Sequence, residues 1–318
     1  MKKFLLLFFL LPLLAAAQQV EVPRDTSFTV YSAYEKERKR YPFIQIAKLE
    51  PNKQVRLVRD VGYRTVNNRE LRLDIFYHAK KIRKGYPGVL LVHGGGWRSG
   101  DKSQQWPLAQ QLAARGYVAV AVEYRLSLEA PYPAALHDLK AAVRWMRAHS
   151  SALQLDPTKI AALGVSAGGQ LAALLGTTNG QPKVEGNGGY ANHDSAVQSI
   201  IDIDGVLAFK HPESEEGAVA AMWLGGTYEE APEIWEEASP LSHVSKTSPP
   251  TLFINSSLPR FHAGRDDMLR KLEAHGIYSQ VHTLPDTPHP FWLFHPWFQP
   301  TVDYTIDFLD KVFKGKGR

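Results

Sequence analysis

The stretch IAALGVSAGGQLAALLG, residues 160–176, sets one serine between glycines at the point where an apolar run changes character. Ser166 stands in a G-x-S-x-G arrangement with Gly164 and Gly168. Those glycines let two backbone segments approach closely, so that a strand can turn directly into a helix and leave the serine oxygen exposed. A serine in this position could instead simply cap the helix. The rest of the chain has to decide between a capping role and a nucleophilic one.

Strand-like and helix-like patterns alternate from about residue 55 to the end of the chain. From Gly88 onward the strand-like runs are short and nearly all apolar, as in parallel strands buried on both faces. Helical spacing of apolar residues predicts helices over Pro131–Ser150 and Asp267–His275. This order predicts an α/β fold with a mostly parallel, doubly wound sheet and helices on both faces, where ligands bind at the carboxyl ends of the strands. The predicted strands are Arg56–Thr65, Leu71–His78, Gly88–Val92, Tyr117–Tyr124, Ile160–Val165, Val197–Asp204, Thr251–Asn255 and Ser279–Leu284.

Residues 1–17 have the features of a cleaved secretion signal. Lys2 and Lys3 precede an apolar run from Phe4 to Leu14, and small residues end at Ala17, where a signal peptidase could cut. An uncleaved membrane anchor is the alternative, but the apolar run is short for a bilayer span. We therefore expect a secreted or periplasmic protein with no membrane association after cleavage.

The remaining chain, residues 18–318, is expected to form a single domain with an N-terminal lead-in over residues 18–54. The whole sequence has 318 residues, no cysteine and 44% hydrophobic residues, so a large buried core rather than disulfides has to stabilise the fold. Loss of Lys2 and Lys3 with the signal lowers the formal net charge from +5 to +3. A balance this mild gives no reason to expect nucleic acid as a partner.

Two further segments follow predicted strands and supply the other parts of acyl-transfer chemistry. HGGGW, His93–Trp97, can turn backbone N–H groups toward the negative charge that develops on a substrate carbonyl oxygen. Gly95, Gly96 and Ala167 are the candidate oxyanion donors. His289 in PDTPHPF follows the last predicted strand, late in the chain as a base paired with this serine should be. Three independent pieces at strand ends favour catalysis over helix capping.

With these motifs in place, the chain resembles the α/β-hydrolases, and specifically the secreted carbohydrate esterases related to feruloyl and acetyl xylan esterases. The matching segments cover roughly residues 55–314 and are, in order, HGGGW, EYRLS, YPAALHDLKAAVRWMRAH, GVSAGG, EGNGGY and HPF. The resemblance implies Ser166 as nucleophile and His289 as its base. No metal or organic cofactor is expected, and the scattered histidines lack the tight spacing of metal ligands. The substrate stays open, because this fold hosts many ester and amide specificities.

The triad acid departs from the family pattern. The family usually carries an H-G-x-x-D stretch shortly after the strand corresponding to Thr251–Asn255, but this chain reads INSSLPRFHAGRDDM there, with the usual acid position at or near Ser257. A histidine base still needs a partner that holds its tautomer. Asp204, at the end of the preceding strand, is the first candidate. Asp266 or Asp267 is the second if the loop folds back, and a serine and histidine without a carboxylate are the third.

The altered loop also bears on the substrate. Arg260 and His262 are expected at the rim of the active site, where a guanidinium could hold the carboxylate of a uronic acid polymer such as pectin. Pairing of these side chains with Asp266 and Asp267 is the alternative. Trp97 is expected to offer a flat surface to a sugar ring.

The predicted function is a secreted serine esterase that removes acetyl or methyl ester groups from a plant cell-wall polysaccharide, xylan or pectin. Its expected partner is thus a polysaccharide or oligosaccharide ester. The alternatives are a serine peptidase or lipase-like hydrolase of the same fold, and a polysaccharide-binding relative that has lost its chemistry.

Overall fold

A computed structural model describes residues 25–315, and the predicted secretion signal, residues 1–17, lies outside them. The strands of the described part are β1 (Gln45–Ile46), β2 (Val55–Val66), β3 (Arg69–His78), β4 (Tyr86–Val92), β5 (Val118–Val122), β6 (Leu155–Val165), β7 (Ser199–Ile203), β8 (Thr251–Asn255), β9 (Ser279–Thr283) and β10 (Phe294–His295). Its α-helices are α1 (Val30–Glu37), α2 (Trp106–Ala114), α3 (Ala134–Ala148), α4 (Ser150–Leu153), α5 (Ala167–Thr177), α6 (Gly217–Leu224), α7 (Pro232–Glu237), α8 (Arg265–Ala274) and α9 (Phe298–Lys314).

Eight of these strands form one sheet in the order β2-β3-β5-β4-β6-β7-β8-β9. The pairings β2 with β3 and β3 with β5 are antiparallel, and every pairing from β5 to β9 is parallel. Strands β4, β5, β7 and β8 are buried at every position. The predicted α/β class with a mostly parallel sheet is therefore confirmed.

Alternate residues of the strands face two separate cores. In β4, Leu90 and Val92 belong to the cluster that contains α3 and α5, whereas Val89 and Leu91 belong to the cluster that contains α2 and α9. This alternation follows from the two-residue repeat of an extended chain. Because both faces of the sheet are covered by helices, a ligand has access mainly at the strand ends.

Two predicted elements differ from the observed ones by more than two residues at one end. Strand β6 begins at Leu155 rather than Ile160, because Leu155 also pairs with Tyr86 of the neighbouring strand. The helix expected over Pro131–Ser150 runs from Ala134 to Ala148. Neither change displaces a predicted functional residue.

The described part of the lead-in packs against the sheet domain. Tyr41, Ile44 and Ala47 are buried in the same core as α9. The short strand β1 pairs antiparallel with β10. The lead-in thus adds to the hydrophobic core beneath the C-terminal helix.

A buried ion network holds the loop after β5 against α3. The Asp138 carboxylate is fully buried and accepts hydrogen bonds from Arg64 at 2.6 Å and from Arg125 at 2.8 and 3.0 Å. Several short hydrogen bonds from guanidinium groups to one buried carboxylate hold those groups in place. This network explains the EYRLS segment and the start of the helix after it as structural features.

Candidate active site

Ser166 occupies a tight turn between β6 and α5. Its backbone has φ 54° and ψ −125°, a region that residues with a side chain rarely adopt. The Ser166 N–H donates a hydrogen bond of 2.8 Å to the carbonyl of Ile203, which ties the turn to β7. The serine oxygen is thereby presented at the carboxyl end of the sheet.

The glycines around the serine are demanded by backbone packing. A Cβ on Gly164 would lie 1.8 Å from the carbonyl oxygen of Gly168, and a Cβ on Gly168 would lie 2.3 Å from that of Val92. A Cβ on Gly94 would lie 3.1 Å from the Cβ of Ser166. The loop of consecutive glycines therefore runs directly beside Ser166, as its sequence position predicts.

His289 reaches Ser166 from the loop that follows β9. Its Nε2 lies 2.8 Å from Ser166 Oγ. The start of this loop is held by a 2.8 Å hydrogen bond from the Leu284 N–H to the carbonyl of Asn255 in β8. A neutral imidazole at this distance can accept the hydroxyl proton as the serine attacks a carbonyl.

Asp204 is the carboxylate behind His289. Its Oδ2 lies 3.0 Å from His289 Nδ1, and Oδ1 accepts a 2.8 Å hydrogen bond from the Ser256 N–H. The second candidates lie elsewhere, because Asp266 pairs with Arg265 while Asp267 pairs with Arg270 and His211. The structure thus brings together the serine, the histidine and the first-choice acid.

The surroundings of Asp204 keep its carboxylate ionised. Burial by itself would raise the pKa, but hydrogen bonds from His262, His289 and Ser256 together lower the pKa to about 2. An anionic Asp204 fixes the His289 proton on Nδ1 and leaves Nε2 free to act as a base.

The three predicted oxyanion donors lie in the glycine loop and in the first residue of the helix that follows Ser166. Gly95 and Gly96 have φ values of +126° and +60°, so the loop turns sharply where the sequence predicted it. A Cβ on Gly95 would lie 2.2 Å from the carbonyl oxygen of Ser99, which leaves no room for any other residue. Ala167 is the first residue of α5, so its N–H has no acceptor within the helix. The geometry suits stabilisation of a negatively charged oxygen near Ser166.

Aromatic rings enclose the imidazole of His289. The Phe261 ring stacks on it with centroids 3.5 Å apart and an angle of 10° between the planes. Trp292 meets it edge-on at 5.2 Å. These contacts restrict rotation of the imidazole, and no sequence motif predicted that Phe261 would lie there.

Trp97 does not offer a surface to a sugar, and this expectation was wrong. The side chain is only 2% exposed, stacks on Trp223 at 5.2 Å, and donates a 2.8 Å hydrogen bond from Nε1 to Gln170 Oε1. Its position after the glycine loop places it in the core beneath the site rather than at the rim. Its role is to pack this loop against the start of α5.

The two predicted rim residues of the altered loop have different surroundings. Arg260 is 43% exposed, as expected, but its guanidinium already pairs with Glu215 at 2.9 Å and lies over the Phe261 ring. His262 is only 6% exposed, and its Nδ1 lies 3.3 Å from Asp204 Oδ1. Its expected place at the rim is therefore wrong, since it contacts the buried acid.

Helix α6 and its first residues were not predicted as part of the site. A Cβ on Gly96 would lie 3.3 Å from the Val219 side chain, which places α6 over the glycine loop. Glu216 occupies the N-cap position of this helix, and its side chain makes no capping hydrogen bond. Burial raises the pKa of Glu216 above its usual range. A partly buried carboxyl group therefore lies at the start of the helix that covers the glycine loop.

Two other kinds of feature are absent from residues 25–315. No group of three or more histidine, aspartate or glutamate side chains there is arranged to hold a metal ion. No helix in the same range has both the length and the apolar character needed to cross a membrane.

Asp202 provides a test of the electrostatics beneath the site. Burial, followed by the charge of Asp204, raises its pKa well above the usual carboxyl range. The folded state thus keeps a proton that the unfolded chain releases near pH 4, and the free energy of unfolding falls as the pH rises above that value. Between pH 5 and pH 8 we expect the Tm of the wild type to fall at least about 2 °C further than the Tm of Asp202→Asn, which cannot ionise.

Calorimetry at the two pH values measures this difference, and any constant effect of the new amide cancels within each protein. Asp303→Asn, an exposed change on α9, is the matched control and should follow the wild type. Parallel curves for Asp202→Asn and the wild type would contradict an elevated pKa at this position.

Comparison with known proteins agrees with this geometry. The BD-FAE family model matches residues 73–260, which is more than half of the chain. Esterase LipC of Mycobacterium tuberculosis is 29% identical over 191 residues, which cover 58% of this chain and 47% of that protein. The chain thus spans about half the length of this curated relative, and the same holds for a probable carboxylic ester hydrolase, LipM, of that bacterium.

Solved structures extend the likeness over most of the chain. A truncated carbohydrate esterase from gut microbiota is 23% identical with a TM-score of 0.68, covering 82% of this chain and 99% of that one. The butyrate-bound esterase 2 of Thermogutta terrifontis is 25% identical with a TM-score of 0.69, covering 83% of this chain and 97% of that one. With the fold, the glycine loop and the serine turn all in place, the chain belongs to the BD-FAE family and has the α/β-hydrolase fold.

Proposed function

We propose that this protein is a serine carboxylic ester hydrolase. One observation carries the proposal: Ser166 Oγ, His289 and the Asp204 carboxylate form a continuous hydrogen-bonded chain with contacts of 2.8 and 3.0 Å. A family of esterases and a serine held in a strained turn beside candidate oxyanion donors support it. The activity of the whole protein is inferred from this site.

The reaction follows from the positions of these atoms. Ser166 Oγ attacks the ester carbonyl carbon while its proton passes to His289 Nε2, and the resulting oxyanion accepts hydrogen bonds from the glycine loop and Ala167. The C–O bond to the alcohol then breaks, and the alcohol leaves with the proton from His289. Water attacks the acyl-enzyme with His289 again as base, which releases the acid and restores the serine.

For the substrate, we propose a small acyl ester, foremost acetyl, on a neutral polysaccharide. Arg260 is the group that could read a uronate, but Glu215 already neutralises it. Repulsion from the Glu215 carboxylate disfavours a polyanion such as pectin. A neutral chain such as xylan meets no such repulsion.

A cavity beside Arg260 has room for the carbohydrate part of such a substrate. Its volume is about 840 Å³, in the range of small-molecule sites. Its wall includes Glu215, the partner of Arg260, together with the aromatic residues Phe209, Tyr228 and Trp235. Aromatic rings and paired charges suit a neutral, hydroxyl-rich ligand. Because the polymers concerned lie outside cells, we also propose that the N-terminal signal directs export of the protein.

The decisive experiment measures acetate released from acetylated xylan and methanol released from pectin, side by side, for wild type and Ser166→Ala. We expect serine-dependent acetate release at least about tenfold faster than methanol release, since a discrimination of 1.4 kcal/mol already gives that ratio. Glu215→Gln, which frees the guanidinium of Arg260, should lower the ratio of acetate release to methanol release.

Other results would point to other functions. Faster methanol than acetate release would mean that Arg260 does read uronates and would make the protein a pectin methylesterase. Serine-dependent turnover of a peptide or of a long-chain acyl ester, with neither polymer product, would favour the peptidase or the lipase. Binding to xylan without any serine-dependent turnover would identify a polysaccharide-binding protein.

A further inference from the structure

The carboxylate of Asp204 contacts two histidines, of which the reaction uses only one. His289 Nδ1 lies 3.0 Å from Oδ2, and His262 Nδ1 lies 3.3 Å from Oδ1. His262 ends the short turn that precedes α8, whereas His289 belongs to the loop after β9. The two imidazoles therefore reach the same acid from separate segments of the chain.

We propose that His262 is a positioning residue for the hydrolytic reaction, donating its Nδ1–H to Asp204 so that the carboxylate faces His289 in the orientation that the base requires. This inference rests on the proposed serine mechanism, because His262 acts only through Asp204 and His289. It replaces the expected role of His262 in binding substrate.

The orientation of the Asp204 carboxylate depends on the side chains and backbone around it. Asp204 itself has φ 51° and stands just past the end of β7, so the strand alone does not orient its side chain. The Ser256 N–H, His262 Nδ1 and the Asn255 side-chain amide reach Oδ1, at 2.8, 3.3 and 3.5 Å. Donors from two different segments resist rotation of the carboxylate about its Cβ–Cγ bond, and Oδ2 is left directed at His289.

Both partners of this hydrogen bond are buried. Asp204 is 1% exposed and His262 is 6% exposed, so water has little access to take the place of a missing donor. A buried carboxylate needs hydrogen bonds to remain charged. His262 therefore supplies a hydrogen bond to Asp204 that water could not readily replace.

The hydrogen bond from His262 also keeps Asp204 ionised. A charged carboxylate directed at His289 can stabilise the imidazolium that forms when Ser166 attacks. The other charged or titratable groups around His262 are Asp266, whose pKa it helps to lower, and Arg265, which pairs with that aspartate and donates to Asn255. Asp266 and Arg265 oppose one another, which leaves the contact with Asp204 as the dominant one.

Two substitutions separate positioning from a merely structural role. In His262→Leu the donor is lost, whereas in His262→Asn the side-chain amide nitrogen can take the place of Nδ1. For the leucine variant we expect kcat on 4-nitrophenyl acetate to fall about 10- to 100-fold with KM unchanged, the scale on which loss of an outer partner acts. The acid limb of the kcat/KM profile should move to lower pH, because a carboxylate that no longer faces His289 stabilises its imidazolium less. The asparagine variant should recover most of the activity.

The titration of His289, followed by NMR of its imidazole, gives a readout that does not depend on turnover. The pKa of His289 should fall in His262→Leu and stay near the wild-type value in His262→Asn. His262→Gln, whose amide lies farther along the side chain, takes the place of the leucine variant should that fail to fold. His275→Leu, an exposed change at the end of α8, is the matched control.

Two outcomes would overturn the proposal. One is a folded His262→Leu with wild-type kcat and an unshifted His289 titration. The other is an asparagine variant that is folded yet as impaired as the leucine variant. If the wild type itself showed no serine-dependent turnover, the proposed function would fail, while the NMR titration would still decide whether His262 acts on the Asp204–His289 pair.

Discussion

Ser166→Ala is expected to lower kcat on 4-nitrophenyl acetate by roughly 10⁴- to 10⁶-fold, the scale seen when a serine nucleophile is removed. The oxygen that attacks the ester is lost, while the glycine loop and His289 remain. A residual rate above that of water would come from the oxyanion donors and from binding alone. Steady-state kinetics with a stopped-flow search for an acyl-enzyme burst measure both quantities.

Ser166→Ala should leave the fold intact, because alanine fits the space of the serine. The strained backbone at φ 54° stays occupied by a residue with a Cβ, so Tm should change by no more than about 2 °C. Ser151→Ala, on an exposed serine of α4, is the matched control and should keep full activity. Retained esterase activity in a folded Ser166→Ala would exclude the serine mechanism.

Asp204→Asn is expected to lower kcat by roughly 10⁴-fold with little change in KM, as when the acid of a serine triad becomes an amide. The side chain keeps its shape and size. An uncharged amide, however, no longer holds the His289 proton on Nδ1 and cannot stabilise the imidazolium that forms when Ser166 attacks. A pH–rate profile from pH 5 to pH 10 accompanies the rate measurement.

Asp266→Asn and Asp267→Asn are the matched controls for this position, since both were candidates for the same role. Their carboxylates pair with neighbouring side chains at the surface, so each variant should retain activity within about threefold, the scale of a surface ion pair. A loss of activity in either one that equals the loss in Asp204→Asn would move the acid to that residue. Full activity in Asp204→Asn would mean that the serine and histidine work without a carboxylate.

The parts of the site that the sequence predicted well are those set by local geometry. Close backbone contacts within the turn and with the adjacent strand leave no room for a Cβ at Gly164 or Gly168. Because the two glycines lie within five consecutive residues, the G-x-S-x-G motif shows them directly in the sequence. The same is true of the glycine loop, where Gly95 and Gly96 have positive φ. His289 was identified because a parallel sheet brings the residues after its strands to one edge.

Sequence reasoning did not settle which carboxylate contacts His289. Asp204 was the first choice because it ends a strand, but Asp266 and Asp267 stayed open. Only the tertiary structure shows which carboxylate lies 3.0 Å from His289 Nδ1. The direction of the loop between β8 and α8 depends on contacts with distant segments, such as the pairing of Asp267 with His211.

The errors concern side chains whose surroundings come from several segments at once. Trp97 and His262 were expected at the surface because they stand beside loops, yet both are buried. Trp97 is covered by Trp223 of α6, and His262 turns inward toward Asp204. Position along the chain indicates the neighbourhood of a residue, but burial depends on which distant segment covers it.

The sequence by itself determined the order of strands and helices, the serine turn, the glycine loop and the late histidine. These features follow from hydrophobic periodicity and from glycines at positions where a Cβ has no room. The tertiary structure alone decided which carboxylate contacts His289, the stacking of Phe261 on His289, the second histidine on Asp204, and the pairing of Glu215 with Arg260. The physical reason is that each of these contacts joins residues far apart in the chain, and their free energy depends on distances and burial that exist only after folding.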